Sequence, residues 1–387
     1  MKKVCIVTGT RAEYGLLKPV IERFFRSEEV QLQLVVTGMH LSPEYGMTYQ
    51  EIEKDGYPIT AKIDMHLTSD TACGITRSMG IAMMGFADYF ETHRPDILLI
   101  LGDRYEMLVV ATAAMMARIP IAHIHGGETT EGAIDEAIRH AITKMSLLHF
   151  TATEVYRKRV VQLGENPSRI YNVGALGVEN IQKVLLMEKE QLEADMNFRF
   201  SDKTLMVTYH PVTLENMTSE SQFYTLLQVI ENHKEVKVIF TKANADADGR
   251  VINKMIDDFT EKNKDRCVAF TSLGQKRYLS ALQYCCAVVG NSSSGIIEAP
   301  SFGIPTVNIG NRQRGRVCAE SVISCGNGKN DIDQALALAL SDSFKQQIQN
   351  VENPYEGENT SKQIVDIISQ ELQKGMELKK TFYEVNV

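Results

Sequence analysis

Short apolar runs alternate along the chain with longer stretches in which apolar residues recur every three or four positions. In the first half, the runs predict strands at Val4–Val7, Leu32–Val36, Ile97–Leu101, Ile119–His123, His149–Ala152 and Ile170–Val173. The amphipathic stretches between them predict helices at Leu16–Phe25, Ile75–Phe90, Met107–Met116 and Ile134–Met145. Alternation of this kind is typical of a parallel sheet covered by helices on both faces.

A second series of strands follows a break in the pattern near Gly174–Glu179. A polar, helix-forming stretch over Val184–Met196 leads into it, and an amphipathic helix is predicted over Asp366–Leu378. The predicted strands of this series are Thr204–Thr208, Val236–Phe240, Val268–Phe270, Ala287–Val289 and Thr306–Ile309. We therefore expect two doubly wound α/β domains, which usually bind ligands at the carboxyl ends of their strands.

Chain length and charge narrow the class of protein. The 387 residues are too many for one ordinary domain, and 44% hydrophobic with 23% charged residues is a normal globular composition. A net charge of −8 argues against a nucleic-acid-binding protein, which usually has a basic surface. The apolar runs are too short for a signal peptide or a membrane span. Seven cysteines without a CxxC pair predict reduced, mostly buried thiols, so we expect a cytoplasmic protein without membrane partners.

Polar motifs fall just after five of the predicted strands. These motifs are Gly9-Thr10-Arg11, Gly102-Asp103-Arg104, His125-Gly126-Gly127-Glu128, His210-Pro211 and the serine turn Gly290–Ser294. Because the strands of a parallel sheet end at one edge, five such motifs at the strand ends of the two predicted sheets predict a functional site there.

The serine turn predicts a strand, a tight polar turn and the start of a helix. A helix N-terminus presents unpaired N–H groups to an anion, and Ser292, Ser293 and Ser294 add hydroxyl donors, which together suit a phosphate. Glu298, about one turn further on, can accept from a ribose hydroxyl. The alternative is an ordinary helix cap, because serine is a common capping residue.

Acidic and basic residues in the first half suit proton transfer. Asp103 stands at a strand end, beside Arg104. On the predicted helix that follows Glu128, Asp135 is four residues from Arg139 and Glu136 is four residues from His140. The apolar residues Ile134, Ala137, Ile138 and Ile142 predict that this helix is largely buried. Buried carboxylates with cationic partners are often functional, whereas solvated helical pairs are the alternative.

Three other motifs contain residues of the kind that bind a metal, a dinucleotide or an anion. His123 and His125 are two residues apart and could ligate a metal together, but no third ligand has the expected spacing, so we predict no metal. Gly9–Glu13 lacks the GxGxxG spacing, and a dinucleotide cofactor is not expected. Three arginines, Arg312, Arg314 and Arg316, suit a diphosphate, with a solvated basic loop as the alternative.

Taken together, the motifs resemble those of the hydrolysing UDP-N-acetylglucosamine 2-epimerases of sialic-acid and related nonulosonic-acid pathways. The segments that carry the resemblance, in chain order, are GTRAEYG, VTGMHLSPEYG, LGDRYE, HIHGGE, DEAIRHAITK, YHPVT, GNSSSGIIEAP and NIGNRQRGR. They run from residue 1 to about residue 320. IRHAITK together with GNSSSG distinguishes this branch from the non-hydrolysing epimerases.

The resemblance implies a GT-B fold, with two Rossmann-like domains facing a central cleft. The expected boundaries are an N-terminal domain over 1–178, a C-terminal domain over 179–362, and a helix in 363–387 that packs back onto the first domain. The implied reaction is anti-elimination of UDP to a glycal, which is then hydrated to N-acetylmannosamine. It needs neither a metal nor another cofactor. The expected partner is the UDP-sugar substrate, and we also expect a homo-oligomer, a dimer or tetramer.

Site residues follow from the resemblance position by position. Those implied around the sugar are Asp103, Glu128, Asp135 and His210. Those implied to bind UDP are Arg11, Ser292, Ser293, Glu298 and Arg312, with Arg104, Arg139, Asn244 and Ser272 as further candidates. Some relatives have a glutamate where His125 stands, in an EGGE version of the loop. The base that takes the C2 proton is therefore Asp103, His125, Glu128 or Asp135.

Three other functions are compatible with parts of this pattern. UDP-N,N′-diacetylbacillosamine is an alternative substrate, because the residues that would contact C4 and C6 of the sugar cannot be assigned from sequence. A GT-B glycosyltransferase would share the fold but needs an acceptor site, whereas the carboxylate-rich first domain suits proton abstraction. A UDP-sugar sensor would not need so many ionisable residues at the strand ends.

Overall fold

The chain forms two compact units. The computed structural model describes residues 1–67, 69–131, 133–212, 219–243 and 249–385. The first unit comprises Met1–Glu128, Asp135–Asn180 and Tyr355–Val387, and the second comprises Thr129–Ile134 and Ile181–Pro354. A short segment from the first half of the chain thus belongs to the second unit, and the C-terminal end belongs to the first.

The first unit is built on a parallel sheet that has seven strands within the described residues. They are β1 (Lys2–Thr8), β2 (Val30–Thr37), β3 (Ile59–Ile63), β4 (Ile97–Leu101), β5 (Ile121–Ile124), β6 (Leu148–Thr151) and β7 (Ile170–Asn172), in the order β3-β2-β1-β4-β5-β6-β7. All five residues of β4 are buried, as expected for a strand covered on both faces. Along β1, Ile6 packs in one core layer and Val7 in the other, because successive side chains point to opposite faces.

The second unit is built on a parallel sheet with six strands in the described residues. They are β8 (Thr204–Thr208), β9 (Lys237–Thr241), β10 (Cys267–Phe270), β11 (Ala287–Gly290), β12 (Thr306–Ile309) and β13 (Val322–Cys325), in the order β10-β9-β8-β11-β12-β13. The order reverses beside β8, where β11 pairs with it in register Val289 to Val207. In doubly wound sheets ligands bind at such a reversal.

Helices connect the strands in both units. In chain order they are α1 (Arg11–Phe25), α2 (Tyr49–Lys54), α3 (Ala72–His93), α4 (Tyr105–Met116), α5 (Asp135–Met145), α6 (Glu154–Gln162), α7 (Leu176–Lys183), α8 (Lys189–Met196), α9 (Ser219–Asn232), α10 (Gly249–Lys262), α11 (Gly274–Leu282), α12 (Ser294–Ile297), α13 (Lys329–Leu340), α14 (Asp342–Gln347) and α15 (Thr360–Lys374). Thr10 begins α1 with a capping box, in which its side chain and that of Glu13 each bind the other's backbone N–H. Ile364, Ile368 and Leu372 of α15 pack in the core layer that covers α1.

The predicted α/β class with two Rossmann-like parallel sheets is confirmed, and most predicted elements agree within two or three residues. Two strands were missed, β3 and β13, and both lie at sheet edges, where the apolar pattern is weaker. The predicted pause at Gly174–Glu179 is wrong in part, because α7 begins at Leu176. The predicted last helix is shifted, because α15 begins at Thr360 and ends before Gly375, whose φ of +83° is left-handed.

The helices and the cysteines can be compared with the expectations about membrane spans and buried thiols. None of the helices in the described part of the chain combines the length and apolar character needed to cross a bilayer. The seven cysteines are free thiols. Cys5, Cys267 and Cys285 are buried, whereas Cys73 and Cys318 are exposed, so the prediction of mostly buried thiols is correct for only part of the set.

Candidate functional site

Arg139 is the centre of a polar cluster in the first unit. Its side chain is 1% exposed, and its Nε donates to Asp103 Oδ2 at 2.9 Å, with Nη2 on the same oxygen. Its Nη1 donates to the Glu128 carbonyl oxygen and to Glu136 Oε2, each at 2.7 Å. One buried guanidinium on α5 therefore joins the loop after β4, the loop after β5 and its own helix.

The prediction that α5 is largely buried through its apolar residues is wrong. Its buried residues are Arg139, Ile142 and Thr143, whereas Ile134, just before the helix, is 45% exposed. The helix buries its cation because three carboxylate or carbonyl groups satisfy it, which removes the cost of an unpaired buried charge. Glu136 also pairs with His140, as predicted, at 3.0 Å. Asp135 is the first residue of the helix and is half-buried.

His125 and Glu128 form a hydrogen-bonded pair just beyond β5. Nδ1 of His125 lies 2.7 Å from Glu128 Oε1, and both residues are buried. Nε2 of His125 is buried and has no hydrogen-bond partner among the described residues. His125 has a φ of +69°, in the left-handed region, so the loop holds this imidazole at a conformational cost. A carboxylate on one ring nitrogen leaves the other to accept or give a proton.

His123 has a different environment, on β5 itself. Its Nε2 lies 2.7 Å from the Gly102 carbonyl oxygen, and its Nδ1 lies 3.3 Å from Thr143 Oγ1. Burial lowers the pKa of His123 to about 3, so the ring is neutral at physiological pH. Both ring nitrogens are engaged with protein groups. Within the described ranges, no three His, Cys, Asp or Glu side chains are grouped so as to hold a metal ion.

The Gly9 turn is lined by charged residues that come from separate parts of the sequence. Glu13 Oε2 accepts from the N–H groups of Gly9 at 2.7 Å and Thr10 at 3.2 Å. Arg104 forms a fork on Glu106, with Nε and Nη2 each 3.1 Å from a carboxylate oxygen. Nε of Arg11, predicted to bind UDP, lies 2.7 Å from Glu51 Oε2. Arg104 and Glu106 are two residues apart in the sequence. This spacing alone does not predict a bidentate ion pair at the start of a helix.

Asn291 connects the predicted site residues of the second unit. Its Oδ1 accepts from the His210 N–H at 2.7 Å, and its Nδ2 donates to the His210 carbonyl oxygen at 2.8 Å. The Asn291 carbonyl oxygen accepts from Arg312 Nη1 at 3.1 Å and from Gln313 Nε2 at 2.8 Å. No sequence pattern predicts Asn291 and Gln313 as site residues, because their role is to bind backbone groups. The fully buried amide of Asn291 brings His210 and Arg312 to one place.

The serine turn follows β11, as predicted, but the helix after it is short. α12 has four residues, and a 3₁₀ turn, Ala299–Phe302, follows it. Ser293 is the N-cap, yet its side chain makes no capping hydrogen bond. Ser292 Oγ accepts weakly from the Ser294 N–H at 3.4 Å. The alternative of a simple serine-capped helix therefore lacks its defining hydrogen bond at Ser293.

The residues around the serine turn restrict its backbone at Gly290 and contact its last serine, Ser294. Gly290 has a φ of +134°, and a β-carbon there would collide with the Thr208 carbonyl oxygen, so only glycine fits. Ser294 Oγ lies 2.6 Å from the Tyr278 hydroxyl. Burial, followed by the negative charge of Glu298, raises the pKa of Tyr278. Glu298 thus lies close to the turn, at the end of α12.

The three arginines predicted to suit a diphosphate have different surroundings, and Arg312 is the one whose guanidinium binds the Asn291 carbonyl oxygen beside the serine turn. Arg316 Nε donates to the Thr129 carbonyl oxygen at 3.0 Å, and Arg314 lies 3.4 Å from Glu131. These two arginines hold the segment Thr129–Ile134 within the second unit. Ser272 Oγ accepts from the Gly274 N–H at 3.3 Å at the start of α11. Asn244 lies outside the described residues.

The predicted residues therefore fall into two groups. One group lies on the first unit and comprises Arg11, Asp103, Arg104, His125, Glu128, Asp135 and Arg139. The other lies on the second unit and comprises His210, Ser272, Ser292, Ser293, Glu298 and Arg312. The first group is rich in carboxylates and suits proton transfer, whereas the second combines hydroxyls and an arginine and suits an anion.

Comparison with known proteins identifies the fold and the family of this arrangement. Residues 22–369 match the family model described as UDP-N-acetylglucosamine 2-epimerase. The chain is 43% identical over 345 residues to the Campylobacter jejuni protein named GDP/UDP-N,N′-diacetylbacillosamine 2-epimerase (hydrolyzing), covering 89% of each chain. It is 39% identical over 386 residues to the Escherichia coli polysialic acid biosynthesis protein P7, covering 100% of this chain and 98% of the relative.

A solved structure shows the same fold at low sequence identity. The Methanocaldococcus jannaschii UDP-GlcNAc 2-epimerase, crystallised in complex with UDP-GlcNAc and UDP, has a TM-score of 0.79 with this chain. The identity is 20%, and the match covers 95% of this chain and 99% of the other. The predicted GT-B-like fold is confirmed by this likeness together with the two parallel sheets.

Proposed function

The chain belongs to the UDP-N-acetylglucosamine 2-epimerase family, and from that premise we propose that it hydrolyses UDP-N-acetylglucosamine to N-acetylmannosamine and UDP. The observation that carries the proposal is the Arg139-centred cluster, because it supplies fixed carboxylates beside a buried imidazole. The similarity to relatives named as a hydrolysing 2-epimerase and a polysialic acid biosynthesis protein supports it.

The proposed reaction has two balanced steps. In the first, a base takes the proton from C2 and the C1–O bond to UDP breaks, which leaves the 2-acetamidoglucal and free UDP. In the second, water adds its hydroxyl to C1 and a proton returns to C2 on the other face. The sum consumes one water and inverts C2. General acid–base groups typically contribute about 10²–10⁴-fold to the rate of such proton transfers.

His125 is the group we assign as the base, with Glu128 orienting it. Glu128 accepts from Nδ1, which leaves Nε2 of the imidazole without a protein partner among the described residues. Oδ2 of Asp103 already accepts two N–H donors from Arg139, so this oxygen is occupied by the ion pair. We therefore assign Asp103 to electrostatic stabilisation and proton transfer in the hydration step, and we assign Asp135, the first residue of α5, to the same step.

Most of the anion-binding groups in this proposal belong to the second unit. Arg312, Ser292 and Ser293 bind the diphosphate, and Glu298 accepts from the ribose. Arg312 is fixed by its bond to the Asn291 carbonyl oxygen, and Asn291 also fixes His210. A guanidinium and hydroxyl donors can stabilise the negative charge of departing UDP without a metal.

A second substrate is favoured by one observation. The relative at 43% identity is named as a GDP/UDP-N,N′-diacetylbacillosamine 2-epimerase, so UDP-N,N′-diacetylbacillosamine is the alternative substrate to UDP-N-acetylglucosamine. Both proposals share the two-step reaction and differ only at C4 and C6 of the sugar.

The decisive experiment incubates the purified protein with each UDP-sugar in D₂O and follows the products by NMR. We expect the products to be free UDP and N-acetylmannosamine with deuterium at C2. UDP-N-acetylmannosamine as the main product would instead indicate a non-hydrolysing enzyme. Turnover of the diacetylated sugar alone would select the second substrate, and no turnover of either would overturn both.

A further inference from the structure

Two buried carboxylates lie under the Gly9 turn and are not used by the proposed chemistry. Glu13 is 6% exposed and Glu106 is 1% exposed, and both belong to the first unit. A β-carbon built at Gly9 would lie 3.4 Å from Glu13 Oε2 and 3.5 Å from Glu106 Cβ. The two acidic side chains therefore flank the same glycine. Charged residues are almost never buried this far without a specific arrangement around them.

Glu106 fixes the direction of Arg104. The guanidinium meets both carboxylate oxygens at 3.1 Å, and the Arg104 side chain is 12% exposed. A fork of this kind restrains the guanidinium plane, whereas a single contact would let it rotate. Gly38 closes the other side, because a β-carbon there would lie 3.2 Å from Glu106 Oε1 and φ is +57°. The carboxylate of Glu106 has little room to move.

Glu13 fixes the backbone of the turn. One carboxylate oxygen accepts from the N–H groups of both Gly9 and Thr10, as part of the capping box that begins α1. The turn leads directly into Arg11. Glu13 and Glu106 therefore define the position of a backbone turn and of a guanidinium on the same edge of the sheet.

Among the residues that the structure describes, the cluster formed by Glu13, Glu106 and Arg104 contains two carboxylates and one guanidinium. Arg104 balances one of the two carboxylates, and Arg11 is paired with Glu51. Burial lowers the pKa of the neighbouring His40 to about 4, so this imidazole adds no positive charge at neutral pH. Burial, followed by the charge of Glu106, raises the pKa of Glu13 to about 7. An anion that approaches Arg104 meets this excess charge unless a proton neutralises it.

We propose that Glu106 and Glu13 are positioning residues for the anionic part of the substrate. Glu106 aims the Arg104 guanidinium, Glu13 holds the Gly9–Thr10 turn, and Glu13 takes up a proton when a nucleoside diphosphate binds. This inference rests on the proposed function only in taking UDP as the ligand. It predicts that UDP binding is linked to protonation of a residue that does not touch the sugar.

Calorimetric titration of the full-length protein with UDP, in buffers of different ionisation enthalpy at pH 7.5, tests the proton uptake. We expect the wild type to take up roughly half a proton more per UDP than Glu13→Gln does. The subtraction removes the proton that UDP itself exchanges. Glu53→Gln is the matched control, because it removes one carboxylate from a surface ion pair with Lys62 in the same unit. Equal uptake by the wild type and Glu13→Gln would overturn the proposal.

A double-mutant cycle tests whether Glu106 acts through Arg104. Glu106→Gln and Arg104→Ala should each raise Kd for UDP about tenfold, and the double variant should be no weaker than the weaker single variant. Glu106→Asp, which keeps the charge, should restore part of the affinity, and kcat should change less than KM. Additive losses would overturn the positioning role.

These results separate this inference from the proposed function. A wild type that binds UDP and turns over the sugar, with variants that behave like it, defeats the inference alone. A wild type that does not bind UDP defeats the inference and the proposed nucleotide site together. Thermal unfolding of each variant identifies any that fail to fold, and Arg104→Lys, which breaks the fork but keeps the charge, replaces Glu106→Gln in that case.

Discussion

Arg139 Nε donates to Asp103 Oδ2 at 2.9 Å across 36 residues of sequence, from a side chain that is 1% exposed. This ion pair places a helix residue and a strand-end residue in a fixed relation. It also means that the carboxylate of Asp103 cannot be moved without leaving a buried guanidinium with fewer partners.

Replacing Arg139 with lysine should therefore reduce turnover strongly while UDP binding persists. Lysine keeps the charge but cannot bind Asp103, Glu136 and the Glu128 carbonyl oxygen at once. Misplacement of reacting groups by about 1 Å costs on the order of 10²-fold in rate, and we expect kcat to fall by that factor. Arg157→Lys is the control, because Arg157 forms a more exposed ion pair with Glu154. Turnover within a factor of two of the wild type would remove Arg139 from the positioning of Asp103.

The sequence predicted the strand ends of this cluster but not the guanidinium that joins them. The β4 run ILLIL is apolar throughout, so Asp103 had to lie just beyond a buried strand. The spacing of four residues between Asp135 and Arg139 predicts a pair within the helix, because sequence spacing indicates only local contacts. Its contacts with Asp103 and with the Glu128 carbonyl oxygen depend on how β4, β5 and α5 pack, which no local pattern encodes.

The second unit shows the same division between local and tertiary information. The Gly-Asn-Ser-Ser-Ser run correctly predicted a turn after β11, because glycine is required by the close approach of the Thr208 carbonyl. The buried amide of Asn291, in contrast, binds the backbone of His210, 81 residues away. Arg314 and Arg316 resemble Arg312 in sequence, yet they contact the segment Thr129–Ile134, which comes from the other half of the chain.

His125→Asn should fold but lose about 10²–10⁴-fold in kcat, as expected when a positioned general base is removed. Asparagine tolerates the left-handed backbone of this position, where φ is +69°, so the loop should survive. His125→Glu should recover part of the loss, because a carboxylate can replace the imidazole as a proton acceptor. If the asparagine variant retained near-normal turnover, His125 would not be the base.

The serine turn and Arg312 should matter for binding more than for chemistry. Ser292→Ala and Arg312→Ala should raise KM and the Kd for UDP, by about tenfold for the arginine, with kcat less affected. Ser343→Ala makes the same side-chain change at an exposed position of the second unit and should leave both constants unchanged. UDP titration by calorimetry measures the effect. Wild-type affinity in both variants would show that the turn has only a structural role.

Activity should persist in excess EDTA. The proposed site stabilises the leaving diphosphate with a guanidinium and hydroxyl donors, which do not require a cation. The measurement is UDP release after dialysis against chelator, with and without added Mg²⁺, Mn²⁺ or Zn²⁺. Loss of activity that one of these ions restores would contradict the prediction and direct attention back to His123 and His125 as ligands.

Asp103→Asn and Asp135→Asn should fold, bind UDP and fail in the hydration step of the reaction. The amide keeps the size of the side chain but removes the charge, and loss of a positioned acid or base typically costs about 10²–10⁴-fold in rate. Asp103→Asn also leaves Arg139 with a neutral partner, so the unfolding free energy of this variant should fall by about 1–3 kcal/mol, measured by chemical denaturation.

Supplying each variant with the 2-acetamidoglucal directly shows which step of the reaction it has lost. We expect Asp103→Asn to form the glycal and let it accumulate, because Asp103 is assigned to hydration. A variant that hydrates supplied glycal but cannot form it has lost the eliminating base instead, and that result for Asp103→Asn would transfer the role of base from His125 to Asp103. Near-normal turnover in both variants would exclude these aspartates from the mechanism.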